Sequence, residues 1–482
     1  MSTMQFIEPR APDLHIFSGF SLPRLGTILL ATLAQAQGWR ASTVIEEQHP
    51  LDWGELRAMD LVGISTITST APRAYAIADR VRAMGVPVVM GGPHVTFLPE
   101  EALEHADYVI RGEAEPSLEP FLKAFREHRG WEKVPGLSYR SGGRILHNDS
   151  CRGCVDLDAL PFPDFSLVRG KTLSAGGKHI LPVMTSRGCP YDCSFCSVTG
   201  MFGRRYRWRS VENVIAELRR YDSPGNYIFF YDDNFAARPL HTRDLLEAMI
   251  AERFRFRWST QVRADLARDP DMLRLMRRAG CHTVFIGFES VNPDSLRAMN
   301  KRQSVEDVRN AARLFRRSHI HVHGMFVLGL DEDHPRTVRE TVRFARRHRL
   351  TSAQFLILTP LPGTRCYEEL KAEGRITFTD WSLYDAHHVV YQPKHFSLAA
   401  LQRAQIRAHK KFYSLRESMK RLFRFSFLDI GVAHYARRLN RHWRQRNRLY
   451  LRLLDLLSPA SGQTVTADIR LDVRLDYPGG RR

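Results

Sequence analysis

The stretch Thr185-Ser-Arg-Gly-Cys189-Pro-Tyr-Asp-Cys193-Ser-Phe-Cys196 concentrates reactive side chains: three of the seven cysteines fall within eight positions, spaced Cys-x3-Cys-x2-Cys. Glycine before and proline after the first cysteine force a loop, and a loop can aim three thiolates at one locus. Such a set suits a metal ion or an iron–sulfur cluster. A four-iron cluster takes four ligands, and no fourth cysteine lies close enough to complete a local set. An iron without a protein thiolate is open to a small molecule. Two plainer readings stand beside this one, a structural zinc site and three buried thiols. Zinc needs a fourth His or Cys at its usual spacing, and none is adjacent.

The segments that must position this loop repeat strand and helix. Strands are predicted at 179–185, 227–231, 257–261, 283–287, 321–328 and 353–359, each a short apolar run followed by a helical pattern. Ser210 and Ser304 are suited to cap helices, and Asp271 places an acid in a first helical turn. Six such units predict an open, partial (β/α) barrel of the TIM type, whose chemistry lies on loops at the strand C-termini. The cysteine loop follows the first of these strands. Later strand ends are polar in apolar surroundings: Asp232-Asp233-Asn234, Arg263, Glu289-Ser290 and the turn Thr359-Pro-Leu-Pro-Gly363-Thr364. Each has a plainer reading, since acids after strands often cap the next helix.

Upstream, residues 1–130 alternate predicted strands at 4–7, 41–46, 61–66, 86–90 and 108–110 with helices at 22–37, 73–84 and 116–127. This predicts a doubly wound parallel sheet, flavodoxin- or Rossmann-like, which binds ligands beyond its strand C-termini. Ser65 and Thr66, Gly91, Gly92 and His94, and Gly112 and Glu113 stand at those ends. Gly-Gly after a strand is by itself often only a turn, and a fold does not assign a ligand. A connector over 131–178 holds a hairpin signal around Gly142-Gly143 and a Pro/Asp-rich linker. Its Cys151-x2-Cys154 pair lacks a second half and reads as unliganded thiols. The predicted division is therefore 1–130, 131–178, a barrel over 179–380, and a helical extension over 381–482.

Taken together, these motifs resemble the radical S-adenosylmethionine (SAM) superfamily, in the branch with an N-terminal cobalamin-binding-like domain. That branch includes class B methyltransferases and the anaerobic cyclase acting on magnesium-protoporphyrin monomethyl ester. The resemblance implies that Cys189, Cys193 and Cys196 hold a [4Fe-4S] cluster whose open iron binds SAM. Phe195 then occupies the aromatic position before the third cysteine. Asp232, Asp233 and Asn234 match the segment that binds the SAM amino group, and Arg263 offers a planar fork to its carboxylate. Glu289 and Ser290 match a ribose- or amino-acid-binding strand end. Ser65, Thr66, Gly91 and Gly92 match positions lining cobalamin, with His94, Gly112 and Glu113 as further cofactor contacts. Asp13-Leu-His15-Ile-Phe-Ser-Gly19 is one residue longer than the Asp-x-His-x-x-Gly of histidine-ligating cobalamin proteins. This weighs against a histidine ligand rather than against cobalamin.

The implied chemistry is cleavage of SAM to a 5′-deoxyadenosyl radical, which activates an unactivated carbon, with methylation the leading outcome. An oxidative cyclisation or other oxidation is the alternative, and a non-catalytic iron–sulfur binding protein is the reading outside enzymes. No paired carboxylates or Ser/His constellation points to hydrolysis. The implied partners are a small-molecule or lipid substrate and an electron donor such as flavodoxin or ferredoxin.

Composition places these modules. The chain has 482 residues and a net charge of +19, with 19 Lys and Arg against 6 Asp and Glu from Leu401 onward. The excess charge thus belongs to the tail. Its segment 433–457 mixes arginines with Tyr435, Trp443 and Tyr450, which suits peripheral contact with an anionic membrane or a solvated basic face packed on the barrel. No base-reading module accompanies it, so nucleic acid is not an expected partner. No run of about eighteen apolar residues exists and no signal peptide is apparent. Cysteine usage fits a reducing cytoplasm, and an oxygen-sensitive cluster favours low oxygen.

Overall fold

The computed structural model describes residues 1–11, 22–150, 154–170, 174–175, 177–422 and 427–458. The near-motif around His15 and the cysteine Cys151 therefore lie outside the described residues, as do all of 459–482.

The N-terminal sheet comprises β1 (Thr3–Glu8), β2 (Arg40–Ile45), β3 (Leu61–Ser65), β4 (Val88–Gly91), β5 (Tyr108–Ile110), β6 (Leu137–Ser141), β7 (Arg144–His147) and β8 (Val168–Arg169). Their order is β7-β6-β5-β4-β3-β1-β2-β8. β1 to β5 are parallel, flanked by helices Leu25–Ala36, Ala71–Arg82 and Glu115–Glu127. Helices on both faces explain why β3 and β4 read as unbroken apolar runs instead of alternating. One face packs Val62, Ile64 and Met90 against Ala74, Ile77 and Val81. The other packs Met4, Phe6 and Trp39 against Leu118, Phe121 and Leu122. The β6–β7 hairpin turns through Gly142 and Gly143, at φ 56° and 75°. It adds antiparallel to β5. At the opposite edge the linker returns as β8 and pairs with β2.

The second sheet contains β9 (Ser174–Ala175), β10 (Lys178–Val183), β13 (Asn226–Phe230), β14 (Arg257–Val262), β15 (Cys281–Glu289), β16 (His321–Leu328) and β17 (Ser352–Ile357). Between β10 and β13 lies a small hairpin of β11 (Ser186–Arg187) and β12 (Arg207–Trp208). The order β17-β16-β15-β14-β13-β10-β9 runs through six parallel strands and does not close, since β10 has β9 as its outer neighbour. This is the expected open barrel. The expected caps form as well: Ser210 accepts from Asn213 N at 3.2 Å, and Ser304 makes a capping box with Asp307. The sheet's aromatic core runs through Phe230, Trp258, Phe288, Phe326 and Phe355, and Trp258 Nε1 donates to Ala279 O at 2.7 Å.

Helix Leu398–Phe412 covers β17, and Tyr413 Oη bonds both the N–H and the carbonyl of Ala353. The tail then folds as helices Phe427–Arg446 and Arg448–Leu456. Their aromatic residues turn inward: Trp443 and Tyr450 are each 6% exposed, and Tyr450 Oη bonds Val389. Arg438, Arg441, Arg444 and Arg448 face solvent. Trp443 and Tyr450 of the basic segment are thus core residues, and Tyr435 packs half-buried against the same core. Among the described residues no helix is long and apolar enough to cross a membrane. Cys154, expected as an unliganded thiol, is disulfide-bonded.

Candidate functional site

The cysteine loop leaves the barrel directly after β11. Gly188 starts it at φ 85°, where a Cβ would meet Arg205 O at 2.9 Å. Neighbouring loops satisfy its backbone. Ser194 N donates to Met299 O at 3.1 Å and Cys366 N donates to Ser194 O at 3.0 Å. Asn300 Nδ2 and Arg365 Nη2 both donate to Asp192 O, at 2.8 and 2.9 Å. The loop is therefore preorganised by the barrel. Cys189, Cys193 and Cys196 are free and partly buried, and burial pushes the Cys196 thiol up to about 12. Such a thiol keeps its proton until a metal displaces it. Among the described residues no three His, Cys, Asp or Glu side chains converge to hold one metal ion. Ligands of a cluster bind separate irons and need not converge on one point.

The strand ends divide the predicted residues into roles. Asp232 is fully buried, and its carboxylate accepts from Thr185 N at 3.0 Å, Thr185 Oγ1 at 3.1 Å, Ser186 Oγ at 2.6 Å and Ser186 N. Desolvation nevertheless raises its pKa to about 7. Asp232 thereby fixes the approach to the cysteine loop. Asp233 opens onto the cavity between the sheets, where desolvation raises its pKa to about 6 against a hydrogen bond from Gly188. Asn234 is buried and its carbonyl accepts from Tyr206 Oη at 3.4 Å. The Arg263 guanidinium lies 3.6 Å above the centre of the Tyr191 ring, inside the cysteine loop, and donates to the carbonyls of Lys301 and Arg302. Ser290 is buried and accepts from Asn292 N at 3.0 Å. Glu289 pairs with Lys301 at 2.7 Å. Burial works against that ammonium, but Glu289 and Cys193 outweigh it and its pKa lies above the ordinary lysine value. Phe195 is half-buried, with the ammonium 5.9 Å from its ring centre.

A cavity of about 360 Å3 lies between the two sheets. From the N-terminal sheet Ser65, Gly91, Gly92, Gly112 and Glu113 line it; from the barrel side come Met184, Ser186, Arg187, Ser197, Val198, Tyr231 and Asp233. Ser197 and Val198 directly follow Cys196, so the cavity runs from the N-terminal strand ends to the base of the cysteine loop and to Asp233. Of the predicted SAM and cluster residues Asp233 alone lines it; Cys189, Cys193, Cys196, Phe195, Asp232, Asn234, Arg263, Glu289 and Ser290 do not, nor do Thr66 and His94. Thr66 is buried, and among the described residues its Oγ1 has no hydrogen-bond partner. His94 turns toward Glu101 at 3.3 Å and meets the Trp381 ring edge-on at 5.2 Å. Gly92 sits at φ 101°, ψ 176°, and a Cβ there would lie 2.6 Å from Thr66 O. That backbone region is essentially confined to glycine, so Gly92→Ala is expected to cost about 1–3 kcal/mol, measurable as a lowered urea midpoint.

One part of the site escaped the sequence reading. Arg187 donates to Glu113 at 2.6 Å and Glu115 at 2.8 Å, and Arg207 donates to the same Glu113 oxygen at 2.9 Å. All four side chains are at most 10% exposed. Burial raises Glu115, but the arginines outweigh it and hold its carboxyl below the usual range. This cluster ties the end of β5 to the residue just before Gly188-Cys189. Glu113, predicted as a cofactor contact, thus directs a carboxylate oxygen to the barrel. The position of Arg187 beside the cysteine motif was the available signal; its partners, more than 70 residues earlier, gave none.

Comparisons with known proteins agree with this geometry. Residues 183–345 match the family model of the radical SAM superfamily, and residues 18–122 match that of the B12 binding domain. An uncharacterised methyltransferase of Pyrococcus horikoshii is 33% identical over 73% of this chain and 78% of its own. The bacteriochlorophyllide d C-12(1)-methyltransferase of Chlorobaculum tepidum is 29% identical over 86% and 88%. Among solved structures, the radical SAM methyltransferase TsrM of Kitasatospora setae, with cobalamin and a [4Fe-4S] cluster bound, superposes with a TM-score of 0.65. It is 20% identical and covers 78% of this chain and 75% of its own, a likeness of fold.

Proposed function

Because this chain belongs to the radical SAM superfamily, in the branch that joins the barrel to a B12-binding domain, it is an enzyme that uses a [4Fe-4S] cluster, SAM and cobalamin, and we propose that it methylates an unactivated carbon of a small, largely apolar molecule. The observation that carries this reading is the shared cavity, where Ser197 and Val198 beside the cluster cysteines face Gly91, Gly92 and Ser65.

The residues present fit the groups. Cys189, Cys193 and Cys196 would hold the cluster. Asp233, Arg263, Glu289 and Ser290 would receive SAM, with Asp232, Asn234 and Phe195 shaping the same mouth. Gly91, Gly92, Gly112 and Ser65 would meet cobalamin, with Glu113 beside them at the cavity wall, while Thr66 and His94 would act from behind that surface. When bound, these groups supply a carbon-centred radical and a transferable methyl group; the protein positions them and keeps water out. The aliphatic lining from Leu25, Leu29, Leu30 and Ile64 suits a water-poor space. The division 1–130, 131–178, 179–380 and 381–482 is proposed to separate cofactor domain, connector, barrel and extension.

Relatives named for bacteriochlorophyllide and hopanoid methylation support a polycyclic tetrapyrrole or lipid as the substrate class. An acidic reductant of the flavodoxin or ferredoxin kind would supply electrons. Peripheral contact with an anionic lipid surface is supported by the exposed apolar stripe Leu415, Met419 and Leu422, flanked by Arg416 and Lys420.

Reconstituted enzyme supplied with SAM deuterated on its methyl group, and with cell extract as substrate source, is expected to yield a product carrying the heavy methyl by mass spectrometry. An unlabelled product that has lost hydrogen would replace methylation with an oxidative cyclisation.

A further inference from the structure

Three strained residues converge on one buried ion pair at the barrel mouth. Glu289, Asn300 and Arg302 adopt left-handed φ of 58°, 52° and 51° without being glycine. Strain of this kind persists where the surroundings over-determine it, and it concentrates at functional sites. The surroundings do so here. Arg263 holds the carbonyls of residues 301 and 302, and Gln303 Nε2 donates to the carbonyls of Gly287 and Phe288 at 3.1 and 3.0 Å. On its other side the same segment holds the cysteine loop, through Met299 O and Asn300.

The result is a lysine that the chain delivers into the interior. Lys301 is 8% exposed and Glu289 7%, and their 2.7 Å contact lies over the Cα of Gly287. A Cβ on Gly287 would stand 2.3 Å from Glu289 Oε1 and 2.9 Å from Lys301 Nζ. The strand slips register between Gly287 and Glu289, which re-aims the Glu289 side chain. Lys301 donates to Oε1, and among the described residues this is the one hydrogen bond to the Glu289 carboxylate. One carboxylate oxygen is anchored and the other is left for a ligand.

We propose that Lys301 is a positioning residue: it holds Glu289 by one oxygen so that the second accepts hydrogen bonds from SAM bound beside Cys193. This rests on the assignment of SAM to this mouth. A buried pair that served only stability could be replaced by neutral groups without loss. A positioning pair cannot, because the ligand needs an oriented carboxylate.

The test is equilibrium binding of SAM to reconstituted protein, with iron content and unfolding midpoint measured in parallel. Lys301→Met is expected to weaken SAM binding by at least about tenfold, a loss of roughly 1.4 kcal/mol, with iron content unchanged. Lys301→Arg restores the ion pair and is expected to recover most of the affinity. Glu289→Gln/Lys301→Met removes both charges; it is expected to regain the unfolding midpoint yet stay as weak for SAM as Lys301→Met. The proposal is overturned if the double variant recovers SAM affinity together with stability, or if Lys301→Met binds SAM as the parent does. Failure of the parent protein to bind SAM at all would instead remove the assignment of the mouth.

Discussion

Replacing Cys193 with alanine is expected to abolish iron retention and reduce 5′-deoxyadenosine formation to background, with Cys189→Ala and Cys196→Ala behaving alike. The physical reason is stoichiometric. The motif provides three thiolates for about four irons, and two thiolates leave a second iron open to solvent. The loop itself survives the substitution, because its fold rests on the backbone of Asp192 and Ser194 held by Met299, Asn300, Arg365 and Cys366. The unfolding midpoint of the metal-free variant should therefore match that of the metal-free parent. Iron analysis, the charge-transfer absorbance of the cluster and chromatography of the nucleoside product read the three quantities separately. Cleavage retained in any of the three variants would refute the ligand assignment.

The second large effect is expected at Glu113. Glu113→Ala leaves Arg187 and Arg207 without the carboxylate they share, and breaking a buried ion pair from one side costs about 3–5 kcal/mol. Denaturant unfolding measures that loss. Function should split as well. Arg187 precedes Gly188 and Cys189, so its release loosens the seating of the cysteine loop against the end of β5. With Glu113→Gln, which keeps the shape but weakens the pair, SAM cleavage is expected to persist while methylated product per 5′-deoxyadenosine falls. The two halves of the site would then each work but no longer in register. An unchanged ratio, with only the midpoint lowered, would confine Glu113 to stability.

Sequence reading located elements better than contacts. All six barrel strands lie within two residues of their predicted starts and ends, because buried parallel strands are continuous apolar runs between capped helices. β16 was placed without error and β5 likewise. The short helix Pro293–Ala298 was not foreseen, since six residues carry too little periodicity. Three cysteines in eight residues were visible because their spacing is local. Arg187 with Glu113, and Lys301 with Glu289, were not, because each pair is assembled by topology. His94 shows the converse limit. It stands two residues past Gly92 in the chain, yet the helix beginning at Pro93 rotates it out of the cavity and against Trp381.

The pairing of β8 with β2 also governs the order in which this molecule can be built. β2 emerges early in synthesis, but its outer edge is covered only when Val168 and Arg169 arrive, after the hairpin and linker. Until then the nascent sheet carries an open edge, the feature that templates intermolecular strand addition. Pairing with β8 then shields Thr43 and Val44 of that edge, and only after Arg169 has cleared the ribosome.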